Sequence, residues 1–109
     1  MKNIIVLHTT VENIEDAKKI AQVLLDLKLI ACAQIDGPIE SMYRWKDSIQ
    51  TEKEYRLSVK STDDLASQLI EKIKELHPYE VPEIIGQPLA YCLEEYKNWV
   101  NSEVNDVRA

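Results

Sequence analysis

Asn3 leads into Ile4-Ile5-Val6-Leu7, a continuous apolar run rich in β-branched residues, which predicts a strand buried on both faces from Asn3 to Leu7. Downstream, Ala17, Ile20, Ala21, Leu24 and Leu27 recur at three- and four-residue spacing, the stripe of an amphipathic helix. Thr9 or Asn13 can cap it, since each has an acidic residue three positions later. The chain turns apolar again from Leu29 to Ile35. Gly37-Pro38 then interrupts it, and Ile39, Tyr43 and Trp45 fall on one face of an alternating run, so a long bent strand is expected. After the polar turn Lys46-Asp47-Ser48, Tyr55, Leu57 and Val59 alternate with Glu54, Arg56, Ser58 and Lys60, as a hairpin partner should.

Thr62 before Asp63 and Asp64 signals a helix start, and Leu65, Leu69, Ile73 and Leu76 give that helix its buried stripe up to Pro78. Ile84 and Ile85 form a short fourth strand ahead of Pro88, and Leu93, Tyr96 and Val100 lie at helical spacing in a last helix. The order strand, helix, strand, strand, helix, strand is the βαββαβ arrangement of a ferredoxin-like α+β fold. Here it carries an antiparallel sheet, two packed helices and an extra C-terminal helix. With 109 residues there is room for one core, so residues 1–109 are read as a single domain.

Charge narrows the partners. The formal charge is -6 and basic residues are dispersed, which leaves no footprint for a phosphate backbone and argues against nucleic acid. No segment is apolar enough to span a membrane or serve as a signal-peptide core. Cys32 and Cys92 are too far apart for a C-x-x-C motif and too few for a secreted disulfide framework, so the cytoplasm is the expected compartment.

The expected topology gathers chemistry at one end of the sheet. His8 follows the first strand and His77 ends the second helix, so the only two histidines fall at a common edge with Trp45, Tyr79 and Glu80. Neutral imidazole suits copper, zinc and nickel, and a carboxylate adds charge neutralisation. Two histidines do not close a structural zinc site, so the expected binding is weak and exchangeable. Plainer readings stand beside this one. His77 can stabilise a helix C-terminus, His8 can hydrogen-bond the first turn of the first helix, and Cys32 can be a small core residue. Cys92 sits where the last helix opens, with no basic neighbour to lower its pKa. Tyr43 and Trp45 can be packing or subunit-contact residues.

Three blocks carry a resemblance that spacing alone does not. They are Ala31-Cys32-Ala33, the run Ser41-Met42-Tyr43-Arg44-Trp45-Lys46, and His77-Pro78-Tyr79-Glu80-Val81-Pro82-Glu83-Ile84. In order and separation they are similar to the CutA family of divalent-cation-tolerance proteins, and the likeness runs from the first strand to Trp99. The resemblance implies a ferredoxin-like protomer in a tight homotrimer, with Ile39, Tyr43 and Trp45 at the interface. It implies a non-enzymatic protein that requires no cofactor, responds to metal ions and binds Cu(II) or another divalent cation, with His8 and His77 as the ligand candidates. The implied trimer also resembles the PII signalling proteins. By that analogy Tyr43, Trp45, Lys60, Tyr79, Glu83 and Trp99 would line a small-molecule cleft between subunits, which gives a second reading as a sensor or signalling scaffold. His8 departs from a cysteine found in some relatives, and Leu76 from a second histidine, so the implied set favours Cu(II) or Zn(II) over Cu(I). Gln34 stands where relatives often have Asn.

Acylphosphatase-like hydrolysis would want an Arg phosphate cradle after the first strand, and a heavy-metal chaperone a C-x-x-C in the same loop. The chain has His8-Thr9-Thr10 there. An RNA-recognition module would need exposed aromatics among basic residues, against the absence of Phe and the acidic balance here.

Overall fold

A computed structural model describes residues 1–105. The elements run β1 (Ile4–Val11), α1 (Ile14–Asp26), β2 (Cys32–Trp45), β3 (Ser48–Thr62), a 3-10 turn (Asp63–Leu65) opening into α2 (Ala66–Leu76), β4 (Ile84–Pro88) and α3 (Glu94–Glu103). The sheet order is β2-β3-β1-β4 with every neighbouring pair antiparallel, the ferredoxin-like α+β arrangement with its extra last helix.

Several boundaries differ from the sequence expectation. β1 extends through His8, Thr9 and Thr10 to Val11, because the two β-branched threonines continue the ladder opposite Leu57 and Arg56. Thr9 therefore caps nothing, and Asn13 Oδ1 accepts the Glu15 N–H at 2.9 Å. Thr62 does not cap the backbone either; its hydroxyl donates to Asp64 Oδ1 at 2.6 Å. Leu29 and Ile30 precede β2 instead of beginning it, yet both are core residues. Leu93 is the N-cap of α3 and is exposed; of the expected stripe only Val100 is fully buried.

Alternation assigns the faces. Ile5, Leu7 and Val11 join Leu57 and Val59 beneath α1 and α2, where Ile20, Leu24, Leu69 and Ile73 close the core. Each such side chain contributes about 1.5–3 kcal/mol by leaving water, so this face holds the protomer together. Val6, Lys60 and Cys32 share a register row on the opposite face. There α3 lies over β3, with Tyr96 reaching Cys32 and Val100 fully buried. Farther along that face His8 is half-buried and its neighbour Ile85 is 57% exposed.

β2 and β3 outrun the rest of the sheet and form an arm, which gives the molecule a 46 Å axis against 26 and 22 Å. A bulge between Asp36 and Ile39 marks its root. Gly37 has φ +140 there, and an added Cβ would sit 2.9 Å from the Tyr55 ring and 3.0 Å from the Glu54 carbonyl, so only glycine fits. At the tip Lys46 and Asp47 take positive φ (47 and 65), the two-residue hairpin loop that matches strand twist.

Candidate functional site

His77 sits where α2 ends and the chain turns toward Pro78, and it is 8% exposed. The Tyr79 backbone N–H donates to its Nδ1 at 3.1 Å, which fixes the ring proton on Nε2. Nε2–H then donates to Thr9 Oγ1 and to the Thr10 carbonyl, both at 3.0 Å. Burial holds the imidazole below its ordinary pKa, against the opposing pull of the Thr10 carbonyl and the Glu54 and Asp16 carboxylates. Both nitrogens are committed, Nε2 tying the end of α2 to β1 and Nδ1 holding the turn that follows. The helix-terminus role considered from sequence is thus realised as a hydrogen-bonded anchor more than as a charge on a dipole.

The network continues from the next turn. The Tyr79 ring lies 4.8 Å from the His77 ring at 60°, and its hydroxyl donates to Glu54 Oε2 at 2.8 Å. Burial and that carboxylate push the phenol well above its ordinary pKa, so it remains a donor. Glu54 is 8% exposed, although its place in β3 reads as a polar-face position. Sequence reasoning missed it because Tyr79, which covers it, comes from a distant loop. Tyr43 lies within electrostatic reach of the cluster: its phenol is pushed up by desolvation and then by the charges of Glu52, Glu54 and Glu12.

His8 lies elsewhere. Thr9 shares the helix side with Leu57, so His8 and its register partner Ser58 point to the other side of the sheet. Nδ1 is 2.8 Å from Ser58 Oγ, so its partner is on β3 and not on the first turn of α1. His8 and His77 do reach the same end of the sheet, since His77 bonds the two residues that follow His8, but because β1 continues through residues 8–10, alternation sends the two imidazoles to opposite faces. Among the described residues no group of three or more His, Cys, Asp or Glu side chains is placed to hold a metal ion.

The residues expected to line a cleft converge only in part. Tyr79 bonds Glu54 at the arm root, while Tyr43 stands farther along the same face of the arm, opposite Gln50, within electrostatic reach of Glu54. Trp45 stands at the arm tip beneath Lys46, whose ammonium is 5.9 Å from the ring centre. Lys60 lies twelve residues along β3 from Ser48, the partner of Trp45, roughly 40 Å away at strand rise, and donates to Gln34 Oε1 at 2.6 Å. Trp99 packs on Tyr96 across α3 with centroids 5.6 Å apart, while Glu83 and Glu80 are exposed in the segment before β4. Beside Tyr79, an open depression of about 620 Å³ runs past Glu12, Asp16, Tyr55 and Pro78. Cys32 and Cys92 are unbridged; Cys32 is half-buried under α3, outside the main core.

The chain has extensive relatives. It is 40% identical over 91 residues to the divalent-cation tolerance protein CutA of Thermus thermophilus, covering 84% of this chain and 88% of that one. Its fold superposes on the crystal structure of the divalent ion tolerance protein CutA1 from Ehrlichia chaffeensis with a TM-score of 0.90 at 41% identity, covering 94% and 95% of the two chains. Against CutA1 from Oryza sativa the TM-score is 0.93 at 34% identity, covering 96% of each. The sequence model of the CutA1 divalent ion tolerance proteins matches residues 5–103, from the second residue of β1 to the end of α3, and the chain belongs to that family.

Proposed function

We propose that the protein serves divalent-cation tolerance without catalysing a reaction, as a cytoplasmic homotrimer of the 1–109 domain that contacts Cu(II) or a similar ion weakly and exchangeably through His8. The observation that carries this reading is the His8 ring itself. Ser58 Oγ lies 2.8 Å from Nδ1, and Nε2 makes no hydrogen bond among the described residues; in the tautomer with the proton on Nδ1, Ser58 accepts and Nε2 keeps its lone pair for a ligand. A partner on one nitrogen orients the ring so that the other faces a ligand, which is how ligating histidines are held. His77 offers no such nitrogen until its bonds to β1 break. One imidazole per chain does not fit a tightly held ion, which takes several protein ligands, so the contact is of the exchangeable kind.

Assembly is supported by the sheet. β2 and β4 are its two outer strands and each presents an unpaired edge, a hazard that a closed ring of copies removes. Tyr43 and Trp45, 43% and 58% exposed, sit on the arm as large apolar surface awaiting cover.

Calorimetric titration of Zn(II) and Cu(II) into the wild type, His8→Ala and His77→Ala tests the metal contact. A clear loss of binding is expected only for His8→Ala, and isotherms indistinguishable from wild type would remove His8 from the site. Sedimentation of the wild type tests the assembly, and a lone subunit at micromolar concentration would sink it.

A further inference from the structure

On the sheet face away from α1 and α2, the register sets Gln34, Ser58, His8 and Ile85 in one row across β2, β3, β1 and β4. Lys60 stands two residues along β3 from Ser58 on the same face, and Arg56 two residues the other way, opposite Asp36.

Donors outnumber acceptors in this row. Lys60 Nζ donates to Gln34 Oε1 at 2.6 Å, and because an ammonium can only donate, the Gln34 amide turns its oxygen to the lysine and keeps both Nε2 hydrogens for another partner. Neither residue makes a further side-chain hydrogen bond among the described residues. Ser58 Oγ meets only His8 Nδ1, and in the tautomer in which it accepts there, its own hydroxyl proton is left to give. Lysine, amide and hydroxyl thus offer hydrogens that no acceptor takes.

Charge points the same way. Lys60 makes no ion pair among the described residues, while Arg56 on the same strand lies 3.8 Å from Asp36. The row therefore holds an uncompensated positive charge in a chain whose formal charge is -6. Glu54 lies roughly 13 Å from Ser58 at strand rise and is engaged by Tyr79. His8, Ser58 and Lys60 are half-buried, so water screens this charge less than on open surface.

We infer that this row is a binding site for a small monocarboxylic acid, whose carboxylate accepts from Lys60 Nζ, Gln34 Nε2 and Ser58 Oγ. Ser58 and Lys60 are roughly 7 Å apart along the strand, the span of one carboxylate with a hydrogen bond on either side. One ammonium matches one negative charge, whereas a phosphate dianion brings a second charge toward Asp36 with no cation to meet it. The ligand needs no metal, so the site goes beyond the ion contact at His8.

Amide chemical-shift titration of metal-free protein with sodium butyrate, sodium phosphate and sodium chloride at matched ionic strength tests this. Butyrate is expected to shift the Gln34 side-chain amide and the Ser58 and Lys60 backbone amides saturably, and chloride to leave them in place. Phosphate is expected to bind about threefold more weakly, or worse, for want of a second cation. Lys60→Gln should weaken butyrate about tenfold by removing a charge-assisted contact, and Lys60→Arg, which keeps the charge, should stay within about threefold of wild type. Unchanged shifts in the rest of the sheet report that each variant is folded. Chloride reproducing the butyrate shifts, or Lys60→Gln binding as wild type, would overturn the site. Phosphate binding as tightly as butyrate would overturn the choice of a carboxylate. With no metal present, the measurement leaves the Zn(II) and Cu(II) titrations to judge His8 separately.

Discussion

Replacing Tyr79 by Phe removes one hydroxyl and leaves the ring in place against His77. What it leaves behind is the Glu54 carboxylate, 8% exposed, with its 2.8 Å hydrogen bond gone and no ion pair among the described residues. A hydrogen bond to a charged group contributes about 1.5–3 kcal/mol, and the unsatisfied acceptor carries a desolvation penalty of similar size. Since Glu54 Oε1 makes no hydrogen bond among the described residues, water reaching that oxygen recovers part of the loss, so we expect Tyr79→Phe to cost about 2 kcal/mol. Glu54→Leu removes charge and hydrogen bond together, so the double variant should cost little beyond Glu54→Leu alone. The coupling from the four proteins should then be about 1–2 kcal/mol. Urea unfolding at one fixed protein concentration reads this, since assembly makes the midpoint concentration-dependent. Additive losses, with coupling below about 0.3 kcal/mol, would refute the view that Tyr79 and Glu54 act as a unit.

Other outcomes follow from neighbouring features. Gly86→Ala drives a Cβ into the Leu7 side chain and the Val6 carbonyl where β4 crosses β1, and overpacking of this kind costs about 1–3 kcal/mol, readable as a lowered thermal midpoint. Leu69→Ala empties a fully buried site under the sheet and should cost about 2–5 kcal/mol in the same urea assay. His77 has its folded pKa depressed by burial, so the unfolded chain binds the extra proton first. Its contribution is therefore present above the unfolded value of about 6.5 and is lost as pH falls through the folded one. Urea midpoints from pH 8 to 5 should decline more steeply for wild type than for His77→Gln, and parallel declines would count against it.

Periodicity revealed most of the fold, because strands and helices that bury one face must write that face into the sequence. Leu57 and Val59 alternate, and Leu69 and Ile73 recur at four residues, since each has the same core to reach. The end of β1 was less legible. His8, Thr9 and Thr10 look polar enough to leave a sheet, and only the pairing with Ser58, Leu57 and Arg56 shows that they stay in it. That extension moved His8 to the side away from His77, which no spacing rule could foresee. Glu54 was hidden differently: it obeys the polar phase of β3, and its burial depends on a tyrosine from another part of the chain. Tyr43 and Trp45 were legible as one face, whereas the opposing face went unread because Met42, Arg44 and Ile49 mix apolar and charged side chains and show no clear phase.

The His77, Tyr79 and Glu54 chain connects these levels. Through Thr9 and Thr10 it grips the end of β1, and through Glu54 it grips β3 just beyond the bulge where the arm begins. Short of that point the arm is held by the sheet and the core; past it, pairing is confined to the two strands of the arm itself. A two-stranded ribbon alone is marginally stable in water and free to twist, so fixing its root sets the angle at which its faces are presented. Removing the Tyr79 hydroxyl should accordingly weaken assembly as well as folding, whereas Leu69→Ala, buried far from the arm, should act on folding alone. If the two variants weakened assembly equally for equal losses of stability, the root would have no special hold on the arm, and the network would be an ordinary part of the core.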